Sequence, residues 1–379
     1  MKKIAILLET SRAFGRQLII GIARYSRING PWSFYKEPID LKSSIPYLTS
    51  WKPDGIIMRD SLITKELLKL KVPTIFAIHN SKYPKTLPII KTDSFAIAKM
   101  ASEHLLSKGL KNFAFCGFDD FDWSKERGYY FNYFINEVGC KVHIYAQPLN
   151  TSKLDWRKEQ QHVGKWINSL PKPVGIFACN DDRGQHILEV CKMINLKVPE
   201  DVTVIGVDND PMICETGYPP LTSIALNVES AGYESAKLLH ELLSGKKMEG
   251  QQIIVSPTHV VQRQSTDILS VDNHDVALAI RYIRDNAKSK ILVRDVVKAT
   301  GISRHTLEKY FKGTIHRSIY DEIREVRVEW ISKLLIETNL TIYQITSLFN
   351  FTDVEHISRY FKKEKGIGLT QFRKLHQTH

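Results

Sequence analysis

Polar and aromatic side chains recur just after the apolar runs in the long N-terminal part of the chain. Phe14 and Arg16 follow "KIAILL" (3–8), and Asp60 follows "DGIIM" (54–58). Trp123 and Arg127 follow "NFAFCG" (112–117), Asn180 and Asp181 follow "VGIFAC" (174–179), and Asp208 closes "VTVIGVD" (202–208). Carboxylates, amides and guanidinium groups bridge neighbouring hydroxyls, and an aromatic face stacks on ring carbons, which together is the chemistry of sugar binding. A single Asp after a strand is ordinarily a helix cap or turn residue, and a single Arg a surface ion pair. The same placement after several strands, at their carboxyl ends, points to one shared site.

A second set lies near the C-terminus. The segment "VRDVVKATGISRHTLEKYFKG" (293–313) is matched in outline by "YQITSLFNFTDVEHISRYFKKEKG" (343–366). Val296 and Ile345, Gly301 and Asn350, and Ile302 and Phe351 are 49 apart; Leu307 and Ile357, Phe311 and Phe361, and Lys312 and Lys362 are 50 apart. Each copy reads as a short helix, a turn at Gly301 or Asn350, and a second helix capped by Ser303 or Thr352. Asn is among the few side chains that tolerate left-handed turn geometry. In the second helices Leu307, Tyr310 and Phe311, and Ile357, Tyr360 and Phe361, face inward. His305, Glu308 and Lys309, and Glu355, His356 and Arg359, then face outward and suit base edges, as Arg does guanine and Glu cytosine. Arg304, Lys312, Lys362 and Lys363 suit phosphates, which fix position rather than sequence. This is the helix-turn-helix pattern, present twice. A plain helical bundle would explain one copy. Two copies joined by one long helix over 318–337 present both reading helices on one face, and at a spacing of one pitch, about 34 Å, they enter successive major grooves.

The elements that position these residues follow from periodicity and length. A chain of 379 residues is too long for one ordinary core. Strand-like runs, including "VPTIFAI" (72–78) and "KVHIYA" (141–146), alternate with helix-like stretches at 93–109, 181–196 and 229–245. The first of these helices has Asp93 or Ser94 as its N-cap and stops at Gly109. Apolar strands alternating with helices imply parallel sheets covered on both faces, and their number suits two doubly wound lobes. The stretch "VSPTHVVQRQSTDILSVDNHD" (255–275) is polar and breaks the pattern. The expected architecture is therefore a two-lobed α/β domain over 1–266 and an all-α, double helix-turn-helix domain over 272–379.

Composition narrows the function. The net charge is +12; residues 272–379 carry 19 Lys+Arg against 13 Asp+Glu, and the longer part before them 34 against 28. The basic excess is thus denser at the C-terminus, as a polyanion partner requires. The cysteines, Cys116, Cys140, Cys179, Cys191 and Cys214, have neither metal-ligand spacing nor an even count, so reduced core thiols are expected, with no metal and no cofactor. The N-terminal apolar run, Ile4 to Leu8, is shorter than the ~7–15 residues of a signal-peptide core, and no run reaches the ~18 of a membrane span. A cytoplasmic protein is expected, and a transport-type binding protein is disfavoured. An enzyme on a doubly wound fold is disfavoured too: "ETSRAFGRQ" after the first strand lacks G-x-G-x-x-G, and no P-loop, G-x-S-x-G or H-E-x-x-H occurs. The paired carboxylates of "CNDDRG" and "FDDFDW" read as solvated loops.

On the strength of "GISRHTLEKYFK" and "LTIYQITSLFNFTDVEHISRYFKKEKGIGLTQFRK", the C-terminal part resembles the DNA-binding domain of the AraC/XylS family of transcription activators. The sequence departs from that family at Asn350, where Gly is usual, and near Leu369-Thr370, where a Thr-Pro pair is usual; neither change removes an apolar anchor. The resemblance places base contacts at His305, Glu308, Lys309, Glu355, His356 and Arg359. Through "CNDDRGQHIL" and "VTVIGVDNDP", the N-terminal part resembles the periplasmic-binding-protein-like domain of lac-repressor-type regulators. That likeness implies that Arg127, Asn180 and Asp208 hold sugar hydroxyls. The DNA-reading helices that precede the domain in that family are missing, since Lys3-Ile4 already opens the first strand. The combination resembles activators of pentose-utilisation operons. It implies a pentose effector such as xylose, double-stranded operator DNA, RNA polymerase as a partner, and a homodimer.

Overall fold

The computed structural model describes residues 1–36, 47–60, 67, 69–78, 86–147, 156–246, 250–267 and 273–376. The chain divides into two units, 1–268 and 269–379. Most of the boundary expected at 266–272 lies outside the described residues.

In the first unit the strands are β1 (Lys2–Leu7), β2 (Trp32–Lys36), β3 (Gly55–Arg59), β4 (Thr74–Ala77), β5 (Ile89–Thr92), β6 (Asn112–Cys116), β7 (Val142–Ile144), β8 (Val174–Ala178), β9 (Val202–Val207), β10 (Thr222–Leu226), β11 (Gln252–Val255) and β12 (Pro257–Val261). They form two six-stranded sheets, ordered β11-β5-β4-β3-β1-β2 and β12-β10-β9-β8-β6-β7. Every apolar run named from sequence becomes a strand. β2, β5, β10, β11 and β12 were not expected, because each is short or mixed in character and becomes a strand only by pairing with its neighbours. All pairings are parallel except β10 with β12, so the sheets are parallel-dominated, as expected.

The polar stretch 255–275 thus opens inside the first unit, with the end of β11, then β12, then a 3-10 turn at Gln264–Thr266. An edge strand satisfies its ladder with backbone groups alone, so it needs little apolar sequence. Beyond it, Ser265 is buried through its hydroxyl, which donates to Val204 O at 2.6 Å. The chain crosses between the sheets after β5, after β10 and after β11. Backbone bonds tie these crossings together: Asp93 N donates to Val255 O at 3.0 Å, and Asn227 N to Ser256 O at 2.9 Å.

Helices of this unit include α1 (Ala13–Asn29), α2 (Ser94–Ser107), α3 (Asp122–Glu137), α4 (Trp156–Ser169), α5 (Asp181–Met193), α6 (Pro211–Cys214) and α7 (Val228–Leu243). Asp93 caps α2, accepting from Ala96 N at 2.9 Å. Helices α1 and α7 meet backbone to backbone. A Cβ on Gly21 would lie 2.0 Å from Glu229 O, and one on Gly232 2.2 Å from Leu18 O.

The second unit is helical throughout its described residues: α8 (His274–Asp285), α9 (Val293–Thr300), α10 (Arg304–Ile315), α11 (Ile319–Glu337), α12 (Ile342–Leu348), α13 (Val354–Lys365) and α14 (Leu369–His376). Two apolar cores form. One gathers Ile280, Val296, Leu307, Phe311 and Ile323; the other gathers Ile331, Leu335, Ile345, Phe349, Ile357 and Phe361. Trp330 of α11 packs against both. The turns are left-handed at Gly301 (φ 73°) and Asn350 (φ 53°).

Ser303 caps α10, accepting from Thr306 N at 3.2 Å. In the second copy the cap is Asp353, which accepts from His356 N at 2.6 Å, and not Thr352, whose hydroxyl donates to Asp353 Oδ2 at 3.0 Å. The second turn is one residue longer, which is why the repeat offset changes from 49 to 50 within it. Among the described residues no helix is long and apolar enough to cross a membrane.

The glycine contact between α1 and α7 gives a direct expectation. Gly21→Ala forces two helix backbones apart and destabilises the first unit by about 2–3 kcal/mol, as overpacking does; urea unfolding of the full chain measures it.

Candidate functional site

A cavity of about 280 Å³ lies in the first unit, lined from both sheets. That volume is near the lower limit, roughly 300 Å³, of ordinary ligand pockets and suits a small molecule. From the first lobe Glu9, Arg12, Phe14 and Arg59 reach it; from the second come Trp123, Arg127, Asn180, Asp182 and Asp208.

Arg127 is held from two sides. It donates through Nη1 to Cys179 O and through Nη2 to Thr92 Oγ1 at 3.3 Å. Its guanidinium lies 4.9 Å from the centroid of the Trp123 ring. Trp123 in turn stacks on Phe121, with centroids 5.7 Å apart and planes 18° from parallel. Asn180 does two jobs. Its Oδ1 accepts from Arg183 N at 3.0 Å and so caps α5, while its Nδ2 donates to Asp182 Oδ2 at 3.3 Å on the cavity side.

Asp208 stands at the tip of β9, and its carboxylate has no hydrogen-bond partner among the described residues. Burial raises its pKa from 3.8 to about 6, against the opposing pull of Arg127. Two ion pairs also border the cavity: Arg59 binds Glu9 at 2.6 Å, and Arg12 binds Asp182 at 2.7 Å across the two lobes; Lys91, Asp122 and Glu126 line it as well.

Of the residues named from sequence, Phe14, Trp123, Arg127, Asn180 and Asp208 line this cavity. Phe14 and Arg16 lie in the first turn of α1, not in a loop. Arg16 stands outside the lining and pairs with Asp210 at 2.8 Å. Asp181 is 2% exposed and also lies outside it; its carboxyl group accepts from Ser223 Oγ at 2.5 Å and from Asp210 N at 2.8 Å. Burial pushes its pKa well above the usual carboxylate range. Asp60 is buried just past β3, and its neighbour Arg59 lines the cavity instead. Alternation along a strand sends adjacent residues to opposite sides, so only one of the two reaches the cavity, and packing decides which. Glu9, Arg12 and Asp182 gave no signal in the sequence. Among the described residues no group of His, Cys, Asp and Glu could hold a metal ion. Cys116, Cys179, Cys191 and Cys214 are buried free thiols, and Cys140 is half-buried.

The second unit places its named residues on α10 and α13. Arg304, His305, Lys309 and Lys312 are exposed on α10, where Glu308 is half-buried; Glu355, His356, Arg359, Lys362 and Lys363 are exposed on α13. Leu307, Phe311, Ile357 and Phe361 are fully buried beneath them. The His356 ring is fixed: its Nδ1 lies 3.2 Å from Thr352 Oγ1, and it stands edge-on to Phe351 with centroids 5.2 Å apart.

Two arginines elsewhere in the unit are committed to acids. On α11, Arg324 pairs with Glu364 and Asp321, and Arg317, just before α11, pairs with Glu322 and Glu325. Arg304, Lys309, Lys312, Arg359 and Lys362 make no ion pair among the described residues. One further arginine was missed from sequence. Arg327, 6% exposed on α11, donates to Ser289 O in the first half and to Phe349 O, at 2.6 Å, in the second. Its guanidinium lies 5.0 Å from the Phe351 ring centroid. It joins the two helix-turn-helix halves through backbone carbonyls, a role that no spacing announces.

Comparison with known proteins identifies the domain families on which both sites lie. Residues 102–266 match the periplasmic binding protein-like domain family, and residues 296–375 match a helix-turn-helix domain family. The xylose operon regulatory protein of Escherichia coli K12 is 33% identical over 370 residues, 95% of this chain and 94% of that protein. Its counterpart from Haemophilus influenzae is 32% identical over 381 residues, 98% of each chain. A solved structure of the xylose-binding transcription activator XylR superposes with a TM-score of 0.84 at 31% identity, covering 99% of this chain and 98% of that one. A periplasmic-binding-protein-like sensor followed by a helix-turn-helix reader defines a DNA-binding transcription regulator, not an enzyme. The chain belongs to the family of the xylose operon regulatory proteins.

Two expectations come from this geometry. Because the folded pKa of Asp208 lies above its unfolded value, folding takes up a proton there, and stability is lost as pH rises from about 4 to about 6. Asp208→Asn removes that loss, so its melting temperature exceeds that of the parent by more at pH 7 than at pH 5 in calorimetric scans. Arg327→Met leaves the buried Phe349 carbonyl unpaired, releases Ser289 O, and costs about 2 kcal/mol. It weakens binding to DNA that carries both half-sites more than to DNA with one, as fluorescence anisotropy would measure.

Proposed function

We propose that this regulator senses a pentose, xylose in particular, and in response activates transcription from an operator that its two outward helices read. It works as a cytoplasmic homodimer in contact with RNA polymerase. The observation that carries the sensing role is the unpartnered Asp208 carboxylate, set beside Arg127 and Asn180 in a small cavity that also holds Phe14 and Trp123. A carboxylate, an amide and a guanidinium supply acceptors and donors for adjacent hydroxyls, and the aromatic faces cover the ring carbons. The lining carries carboxylates and cations in near balance, Glu9, Asp122, Glu126, Asp182 and Asp208 against Arg12, Arg59, Lys91 and Arg127, so a neutral polyol suits it better than an anionic sugar. The names of the full-length relatives, which concern xylose, support the same effector.

The reading role rests on the exposed cations of α10 and α13 that make no ion pair among the described residues. Arg359, with Glu355 and His356, and Lys309, with His305 and Glu308, are directed to base edges. Arg304, Lys312, Lys362 and Lys363 are directed to phosphates. Sugar shifts the protein between open and closed sensor forms only by its differential affinity for them.

A thermal-shift screen over pentoses, hexoses and uronates tests the sensor. The effector at 100 times its dissociation constant adds about 2.7 kcal/mol, and xylose is expected to give the largest shift. Asp208→Ala abolishes the shift and leaves operator affinity in the absence of sugar intact. Arg359→Ala does the reverse, with a loss of about 1–3 kcal/mol in operator binding. Footprinting that finds no protected site with or without sugar would defeat the reading.

A further inference from the structure

The backbone at the tip of β9 is strained. Asp208 (φ 103°) and Asn209 (φ 48°) are consecutive non-glycine residues with positive φ, a conformation that persists only where the surroundings impose it. Here they do. Asp208 N donates to Ile224 O at 3.0 Å, Asn209 N to Ser223 Oγ at 3.0 Å, and Asp210 N to Asp181 Oδ2 at 2.8 Å. The strained tip ends in two carboxylates with different surroundings. That of Asp208 faces the cavity. That of Asp210 is 1% exposed and reaches the other lobe, where it accepts from Ala13 N at 2.6 Å and from Arg16 Nη2 at 2.8 and 2.9 Å. Helix α1 has no side-chain cap of its own, since Arg12 stands at its N-cap position. Its first amide is capped instead from across the cleft, where a negative charge also complements the helix dipole. Between the two clamped residues lies Phe14, which lines the cavity.

We propose that Asp210 is a positioning residue for the effector. It touches no ligand, but it clamps the start of α1, and with it Phe14, onto the strained loop that presents Asp208, so that occupancy of the cavity and closure of the lobes are one event. This deepens the pentose-sensing reading and rests on it. Neither Asp210 nor its partner Ala13 carries a pattern that marks it in the sequence.

The test uses the full-length protein, xylose as the probe, and the variants Arg16→Met, Asp210→Asn and the pair combined. Each single variant is expected to weaken xylose binding about tenfold by calorimetry. The double variant should be no weaker than Asp210→Asn alone, because both remove one interaction. Hydrogen exchange at the Ala13 amide reads the clamp directly: slower with xylose in the parent, faster in Asp210→Asn with or without sugar. Should Asp210→Asn fail to fold, Arg16→Met decides, since it leaves the backbone bonds of Asp210 intact. An unchanged xylose affinity in folded Arg16→Met, or an Ala13 exchange rate indifferent to xylose, overturns the proposal. If the parent binds no pentose at all, the sensing reading fails by itself. The Ala13 exchange rate of unliganded Asp210→Asn then still judges the clamp, and no change from the parent overturns it.

Discussion

A carboxyl group taken out of water must find donors, and in this protein the shape of the sensor's cleft follows from how one such group finds them. Asp181, at the start of α5, accepts from Ser223 of β10, from the backbone of Asp210 and from the Cys214 thiol. Three segments are fixed relative to one another by this single satisfied group. An unsatisfied polar atom at such a site would cost about 1–3 kcal/mol, so the arrangement tolerates little slack. The tip of β9 inherits that rigidity. It is held in a conformation that its residues would not choose, and the Asp208 carboxylate is thereby kept in the cleft without a hydrogen-bond partner among the described residues.

The reader applies the same logic with the sign of the charge reversed. Arg327 is buried, and it is satisfied by carbonyl oxygens from both helix-turn-helix halves together with the rings of Phe349 and Phe351. Arg317 and Arg324 are paired with acids around α11. With these neutralised, Arg304, Lys309 and Lys312 of α10 and Arg359 and Lys362 of α13 stay exposed and without ion pairs among the described residues. A DNA-binding face is therefore defined as much by which cations are spent internally as by how many there are. The moderate overall excess of Lys and Arg in this part of the chain conceals that sorting.

Most of the architecture was legible in the sequence. Long apolar runs bury both faces and become interior strands whatever their neighbours are, which is why β1, β8 and β9 could be placed. The paired turns at Gly301 and Asn350 were legible because left-handed geometry restricts residue choice. The inward residues of α10 and α13 were legible because helical periodicity is local. By contrast, β2 and β12 lie at sheet edges, where pairing is decided by the strand alongside and polar residues suffice. The cap of α13 moved from Thr352 to Asp353 because the second turn is one residue longer, a difference the sequence repeat recorded without saying where it fell.

The sequence by itself determined which residue types stand at the carboxyl ends of the strands and on the outer faces of the reading helices. Both depend only on short-range periodicity. Tertiary structure alone decided which of them face the cleft. Arg16 and Asp181 have the same chemistry and the same placement along the chain as Arg127 and Asp208, yet their polar groups are consumed by Asp210 and Ser223. Those partners lie far away along the chain, and a hydrogen bond between distant segments leaves no trace in local pattern. The cross-lobe pairing of Arg12 with Asp182 belongs to the same class. It exists because two sheets are brought face to face, and nothing in either segment specifies the other.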